Sequence, residues 1–465
     1  MSIAAVVAAT LVAAAQPESI DRMPDFGSQE PYRARQRELL AAIPGPNAYE
    51  AVMEARRLLD GVREEVQLFD QPYWMPFDAL LGEAEEPHHV EVAREMLRLS
   101  AGRGIEPAIA RIAKGRGVVR PLGDGLAIMD LLPDLITVRQ CSKINLILMR
   151  EDARAGDWER WLEKLDQLLR IARAYREDSY LIGIMIGFAV ESTALLELER
   201  VVDQRVLDAA QLERVAGLLD GLGMRERPTR GIEASRLVIK AAIDYVYERN
   251  SWQRVGYLAR VYEDNRLAPP NDAGLPLSED PPIAGWVTRA AAHASVDELH
   301  DNAVRLLSLP FRERIADPFK IDEYERRQSI HKNPVVAMTL PAIAKYFASI
   351  GQIEAEQAGA RAMVALEWYR AEHGRLPASL GELVPRYVAE VPRDYFSGGG
   401  LVYKGPREGG YEGGREYLLY SVGYDLTDND GKCDPKSRVW AVTETGKGLD
   451  FVVNPAPKVV TRKGE

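Results

Sequence analysis

Apolar residues recur at helical spacing along most of this chain, and this periodicity limits it to a mainly α-helical fold. The signal is strongest near the middle of the chain, where helices are predicted over 136–154, 158–175 and 180–201. Gly156 favours a tight turn between the first two, and Asp157 is a residue type that caps helix N-termini. Short turns place neighbouring helices antiparallel. The sequence therefore predicts a stack of helical hairpins, as in bundles and solenoids.

The helical pattern continues beyond this region and then stops. Further helices are predicted over 209–222, 232–247, 252–262, 296–307 and 337–372. After Pro392, glycine-rich turns separate β-prone runs at 401–403, 417–422 and 439–442, which is typical of an antiparallel sheet. Helices followed by strands indicate an α+β arrangement for this end of the chain.

The predicted fold class is therefore mainly α, in two parts. A helical-hairpin bundle or solenoid-like domain is expected over 17–335. A small α+β head is expected over 336–465, with its long helix over 337–372 and its antiparallel sheet over 400–453.

Composition excludes several classes of protein. The net charge of −11 argues against a nucleic-acid partner, which a basic surface would attract. Two cysteines in 465 residues, Cys141 and Cys433, cannot build a disulfide framework or a four-thiolate zinc site. The chain also lacks a phosphate-binding Walker loop, a G-x-S-x-G nucleophile turn, an H-E-x-x-H zinc motif and a C-x-x-C pair. The common sequence signatures of enzymes are thus missing.

The first sixteen residues resemble a signal peptide. An apolar run from Ile3 to Ala15 is shorter than the about 20 residues that span a bilayer. Ala13 and Ala15 fit an A-x-A cleavage site, although no basic residue precedes the run. A frayed alanine-rich helix is the alternative. We expect export to the periplasm or cell envelope, with membrane attachment only through this N-terminus, either as a signal peptide or as a clipped anchor.

An acidic loop at 423–434 is the strongest candidate site. It carries Asp425, Asp428, Asp430 and Asp434 together with the amide of Asn429. Calcium takes six to eight hard oxygen ligands, which such a loop can supply. The core resembles an EF-hand loop but lacks the glutamate at its twelfth position, and a strand precedes it. The alternative is an exposed hairpin built from turn-forming residues.

A second metal hypothesis concerns His293, Asp297 and His300, which would share one helix face and could bind zinc. Against it, Ser295 and Glu298 have the spacing of a capping box, which would start the helix between the two histidines. We therefore expect no zinc site here.

Two carboxylates lie at unusual positions. Glu191 interrupts an apolar stretch, so in a central bundle helix it is either paired or at an edge, or else it is a functional buried acid. A hydrolase using carboxylates such as Glu191 or Asp244, in a cleft between the helical domain and the head, is the alternative to a non-enzymatic protein.

The C-terminal region resembles the major pseudopilins of type II secretion. Residues 362–377 are similar to the end of the long pseudopilin helix, and 379–385 and 391–396 are similar to the segments that follow it. Leu419-Tyr420-Ser421-Val422-Gly423 resembles the strand that opens the pseudopilin calcium loop. Tyr395 replaces the usual proline. The likeness covers about residues 340–450.

This resemblance implies an α+β head that binds Ca²⁺. Its candidate ligands are Asp425, Asp428, Asp430 and Asp434, although Leu426 stands where a glycine is usual. Pseudopilins begin with a prepilin leader and a long apolar helix. A helical domain of about 300 residues stands here instead, so filament assembly is not expected.

The whole chain is similar to an uncharacterised family of helical proteins from planctomycete-type bacteria. The matching pieces are Asn47-Ala48-Tyr49-Glu50-Ala51, the hairpin around Gly156, and the region from Leu376 onward. The family brings no activity with it. The expected function is a non-enzymatic scaffold of the envelope, related to secretion, that binds a protein partner through its helical hairpins.

Overall fold

The computed structural model of the chain describes its residues in separate stretches. These are 30–66, 77–81, 87–120, 133–178, 180–222, 229–248, 287–327, 333, 336, 342–434, 442–443 and 448–454. The signal-like segment 1–16, the predicted helix 252–262 and most of the predicted strand 439–442 lie outside the described residues.

The described part of the chain is mainly helical. Its helices are α1 (Glu30–Ala41), α2 (Tyr49–Glu65), α3 (Phe77–Leu80), α4 (Pro87–Gly102), α5 (Ile105–Ile112), α6 (Pro133–Ala155), α7 (Trp158–Arg176), α8 (Leu181–Asp203), α9 (Ala209–Asp220), α10 (Arg230–Glu248), α11 (Arg289–Ser308), α12 (Phe311–Ala316), α13 (Ile321–Arg327) and α14 (Ala342–His373).

The predicted central hairpins form from α6, α7 and α8. Gly156 adopts a φ of 72°, and the Asp157 carboxylate accepts a hydrogen bond of 3.2 Å from the Arg160 amide as the N-cap of α7. Helix α7 buries one face, whereas α8 is buried on most of its sides. Among the described residues, α8 has the length and hydropathy of a membrane span, but 72% of that window is buried inside the protein.

A three-stranded antiparallel sheet completes the fold. Strands β1 (Val402–Lys404), β2 (Leu418–Ser421) and β3 (Phe451–Val452) lie in the order β1-β2-β3. The pairs Val402–Tyr420 and Tyr420–Val452 set the register. A 3₁₀ turn at Leu380–Leu383 lies between α14 and β1, and another at Glu412–Gly414 lies between β1 and β2.

Helix α14 lies between the helical hairpins and the sheet. It packs against α8 and α9, and it also contacts β2. One hydrophobic cluster runs from Ala48 to Val453 without a break at α14. Glycine at position 359 is required by this packing, because a Cβ there would lie 2.5 Å from a Val453 methyl. The predicted domain boundary at 335/336 thus lies just before α14, and α14 packs into a hydrophobic core that the hairpins and the head share.

A second contact joins the two parts. Phe311 at the start of α12 packs among Tyr395, Phe396 and Tyr424, with ring centroids 4.7–5.7 Å apart. Beside it, Arg314 Nη1 donates a hydrogen bond of 2.7 Å to the Tyr395 hydroxyl. Aromatic packing of this kind adds to simple area burial. The α12 segment is therefore an aromatic anchor between the hairpins and the head.

The predicted start of α11 was wrong. The helix begins about two turns earlier, at Arg289, because the Thr288 hydroxyl accepts a hydrogen bond of 3.2 Å from the Ala291 amide. Ser295 does not cap the helix: its hydroxyl donates to the Ala291 carbonyl. The serine and glutamate that resemble a capping box lie inside the helix.

Candidate functional site

The acidic loop 423–434 leaves the end of β2 and coils tightly beside β3. Gly423, Leu426, Asp430 and Gly431 all have positive φ, between 59° and 78°. Gly431 is further constrained by packing, since a Cβ on it would lie 2.4 Å from a Leu418 methyl. Side chains along such a tight coil lie close together, whether they point into the loop or out of it. The loop therefore brings its aspartates into one small region of the head.

Two of the four predicted ligands organise the loop itself. Asp425 accepts hydrogen bonds from the Thr427 amide at 3.0 Å and from the Gly448 amide at 2.6 Å. Asp428 accepts from the Asp430 amide and from the Tyr420 hydroxyl, each at 2.8 Å. These two hydrogen bonds lower the pKa of Asp428, so it is ionised at neutral pH.

The other two differ in exposure. Asp430 is 90% exposed and forms an ion pair with Lys404 of β1. That ammonium also lies 5.3 Å from the centre of the Tyr420 ring, and its contact with Asp430 raises the pKa of Lys404. Asp434 is half-buried. Across the described residues, no three His, Cys, Asp or Glu side chains converge on one point. Three of the four aspartates, Asp425, Asp428 and Asp430, thus share a loop but have separate partners.

A fifth carboxylate was missed by the sequence analysis. Asp450 is fully buried and accepts hydrogen bonds from the amides of Gly431 at 2.7 Å and Asn429 at 3.1 Å. Burial raises the pKa of Asp450 to about 6, and the charge of Asp428 adds to this. Asp450 thereby holds the middle of the loop from the position directly before β3. Its only sequence signal is its position directly before the apolar run that starts at Phe451.

The histidines considered for zinc do lie on one face of α11, but each has its own partner. His293 Nε2 lies 2.5 Å from Asp244, and Asp297 accepts from Lys240 at 2.7 Å. His300 is fully buried, and its Nδ1 lies 2.7 Å from the Val296 carbonyl oxygen. Burial lowers the pKa of His300 to about 4. The contacts of His293 and Asp297 join α11 to α10, whereas the hydrogen bond of His300 lies within α11.

Glu191 lies at the interface of α8 and α14 and is fully buried. It accepts hydrogen bonds from the Arg176 guanidinium at 2.7 Å and from the side-chain amide of Gln357 at 2.5 Å. The paired alternative predicted for this residue is therefore the one observed. Charge-assisted hydrogen bonds such as the one from Arg176 are among the stronger ones in proteins.

Asp244 lies elsewhere, where α1, α10 and α11 meet. It accepts hydrogen bonds from the Tyr32 hydroxyl, from Arg289 at 2.6 Å and from His293. Burial opposes ionisation, but the hydrogen bonds from His293 and Arg289 prevail and hold the pKa of Asp244 well below its usual range. Each of the two acids considered for hydrolysis thus has its own set of partners.

Comparison with protein families, with curated proteins and with solved structures finds no match for this chain.

Proposed function

We propose that this protein is an exported, envelope-associated scaffold that binds another protein and carries a calcium-stabilised, pseudopilin-like head. The acidic loop 423–434 is the observation that carries the proposal. Four aspartates lie on one coiled loop, and Asp450 adds a fifth carboxylate from the position directly before β3. Like charges confined in this way repel one another, so a divalent cation would stabilise the folded head.

The proposed ligands are Asp425, Asp428, Asp430 and Asp434. In this scheme Lys404 is the competitor of the cation, because it neutralises Asp430 in the described arrangement. Calcium would replace the ammonium and draw the neighbouring carboxylates toward one point. Asp450 would keep its structural role, because the two amides that donate hydrogen bonds to it belong to the loop backbone. The flexible oxygen geometry of calcium sites suits such a loop.

A scaffold fits the described carboxylates better than a hydrolase does. Glu191 is enclosed by its own partners, and Asp244 is held by three donors. The hairpins, in contrast, present a groove of about 510 Å³ between α7 and α9. Charged side chains line it, among them Glu159, Glu163 and Arg214. Arginine is enriched in protein interfaces and a polar rim is usual, so in this proposal the charged groove would form the rim of the contact with a partner.

Calcium binding is tested by thermal unfolding of the full chain with Ca²⁺ and with a chelator. Calcium at a hundred times its dissociation constant should stabilise the wild type by about 2.7 kcal/mol. The double variant Asp428→Asn, Asp430→Asn should lose this gain. Glu408→Gln, an exposed acid of the same head, should keep it. An equal transition with and without calcium in the wild type would disprove the calcium site.

Export and partner binding need separate tests. A phosphatase fused to the C-terminus, active only after export, should lose its activity when 1–16 are deleted. A photo-crosslinking residue at Gly217, which lines the groove and has open space around it, should trap one protein in living cells. The same residue at Glu408 is the control. Activity without residues 1–16, or identical products from both crosslinking positions, would contradict the proposal.

A further inference from the structure

The segment that follows α1 is fixed to the body of the protein. Asn47 donates a hydrogen bond of 2.8 Å to the Val119 carbonyl and accepts one of 2.8 Å from the Val119 amide. The Arg116 amide donates to the Pro46 carbonyl at 2.8 Å. Between this anchor and α1 lie Pro44 and Gly45, and Gly45 is surrounded by open space. The C-terminal end of α1 therefore has the features of a hinge.

The opposite end of α1 is held by side chains. The Tyr32 hydroxyl donates to Asp244, which is positioned by its contacts with α11. One turn further along, Gln36 donates 3.2 Å to the Tyr180 hydroxyl. Burial raises the pKa of Tyr32, so its hydroxyl retains the proton that it donates. The hydrogen bonds at Tyr32 and Gln36 form a latch.

Helix α1 buries apolar surface through Leu40, which is 8% exposed, and through the half-buried Leu39. Leu39 packs on a small cluster of Tyr180, Ala234 and Val238, which is separate from the main core. A helix of 12 residues is marginal in water without tertiary contacts. Helix α1 therefore depends on its docking to remain helical.

We propose that α1 is a strap that turns on the hinge at 44–45, is latched by Tyr32 and Asp244, and covers the apolar cluster of Tyr180, Ala234 and Val238. The chain that precedes residue 30 enters the strap at its latched end. A load on that preceding segment therefore acts first on the Tyr32–Asp244 hydrogen bond. Opening would unfold α1 and expose the cluster, while the main core stays closed because it does not include these residues.

Hydrogen exchange of the full chain tests the strap. Tyr32→Phe removes the latching hydroxyl and keeps the ring, so amides of 30–41 should exchange about tenfold faster, the effect of one hydrogen bond to a charged group. Exchange in α8, α10 and α14 should not change. Tyr411→Phe is the matched control, because its hydroxyl donates to the Gly405 carbonyl in the head.

Two results would overturn the strap. Unchanged exchange at 30–41 in the Tyr32→Phe variant would show that the hydroxyl does not latch the helix. Acceleration by the same factor throughout the chain would show that α1 opens only with global unfolding. Trypsin gives an independent readout: cleavage after Arg33, Arg35 and Arg37 should become faster in Tyr32→Phe and stay at the wild-type rate in Tyr411→Phe.

Discussion

Replacing Arg120 should be among the most damaging single changes in this protein. Its side chain is 1% exposed, and it donates from Nε and Nη2 to Asp134 at 2.9 and 2.8 Å. Its third nitrogen, Nη1, donates to Asp178 at 2.7 Å. The two carboxylates are fully buried, and the Tyr175 hydroxyl also donates to Asp134. One guanidinium thus bridges two buried acids, Asp134 at the start of α6 and Asp178 just before α8.

The variant Arg120→Met leaves these two acids buried without their cation. Removing one partner of a buried ion pair costs about 3–5 kcal/mol, a large part of a typical stability of about 5–15 kcal/mol. Burial already raises the pKa of Asp178 with Arg120 present, and its loss raises that value further. Urea unfolding at pH 7, followed by circular dichroism, measures the difference in the free energy of unfolding.

The same reasoning predicts a rescue. The triple variant Arg120→Met, Asp134→Asn, Asp178→Asn removes all three charges, and its stability should recover most of the loss. The single variant should also recover as the pH falls, because acids with raised pKa values gain protons in the folded state first. A loss under about 1 kcal/mol in Arg120→Met, or a triple variant less stable than the single one, would refute this account of the cluster.

Three further changes test other parts of the fold. The pKa of His300 falls from 6.5 to about 4 in the folded protein, so on acidification the unfolded chain takes up this proton first. The free energy of unfolding should therefore decrease by about 3 kcal/mol as the pH is lowered from 6.5 to 4. His300→Leu should flatten that part of a stability-versus-pH curve. Phe311→Ala should cost about 3 kcal/mol in urea unfolding, because it empties the aromatic anchor between hairpins and head, and an unchanged midpoint would contradict that role. Asp157→Ala should lower the stability by about 1 kcal/mol through loss of the α7 cap, whereas Asp157→Asn should keep most of it.

The hairpin elements could be predicted because their signals are local. The Asp157 cap and the apolar face of α7 were both readable within a few residues. The start of α11 was misread for a related reason: two capping signals, at Thr288 and Ser295, lie close together, and the sequence alone does not rank them. Thr288 is the residue that caps the helix, and a helix that starts there runs alongside α10 and brings His293 to Asp244.

The candidate site was predicted in part. The acidic loop is contiguous, so its four aspartates were visible together in the sequence. Lys404 and Asp450 were missed because they reach the loop from β1 and from the position directly before β3, about 20 to 30 residues away. Cross-strand partners depend on the register of the sheet, which short strands such as β3 specify only weakly by pattern.

The sequence by itself determined the mainly helical class, the hairpins and the small sheet at the end of the chain, because spacing of apolar residues and turn-forming residues act over short distances. Only the tertiary structure decided how the buried charges are paired. Glu191, Asp244 and Arg120 each find partners far away in the sequence, on other helices or turns. A charge inside a protein is tolerated only where a partner meets it. Whether a partner lies beside a buried charge depends on how the helices pack, and local sequence patterns do not contain that information.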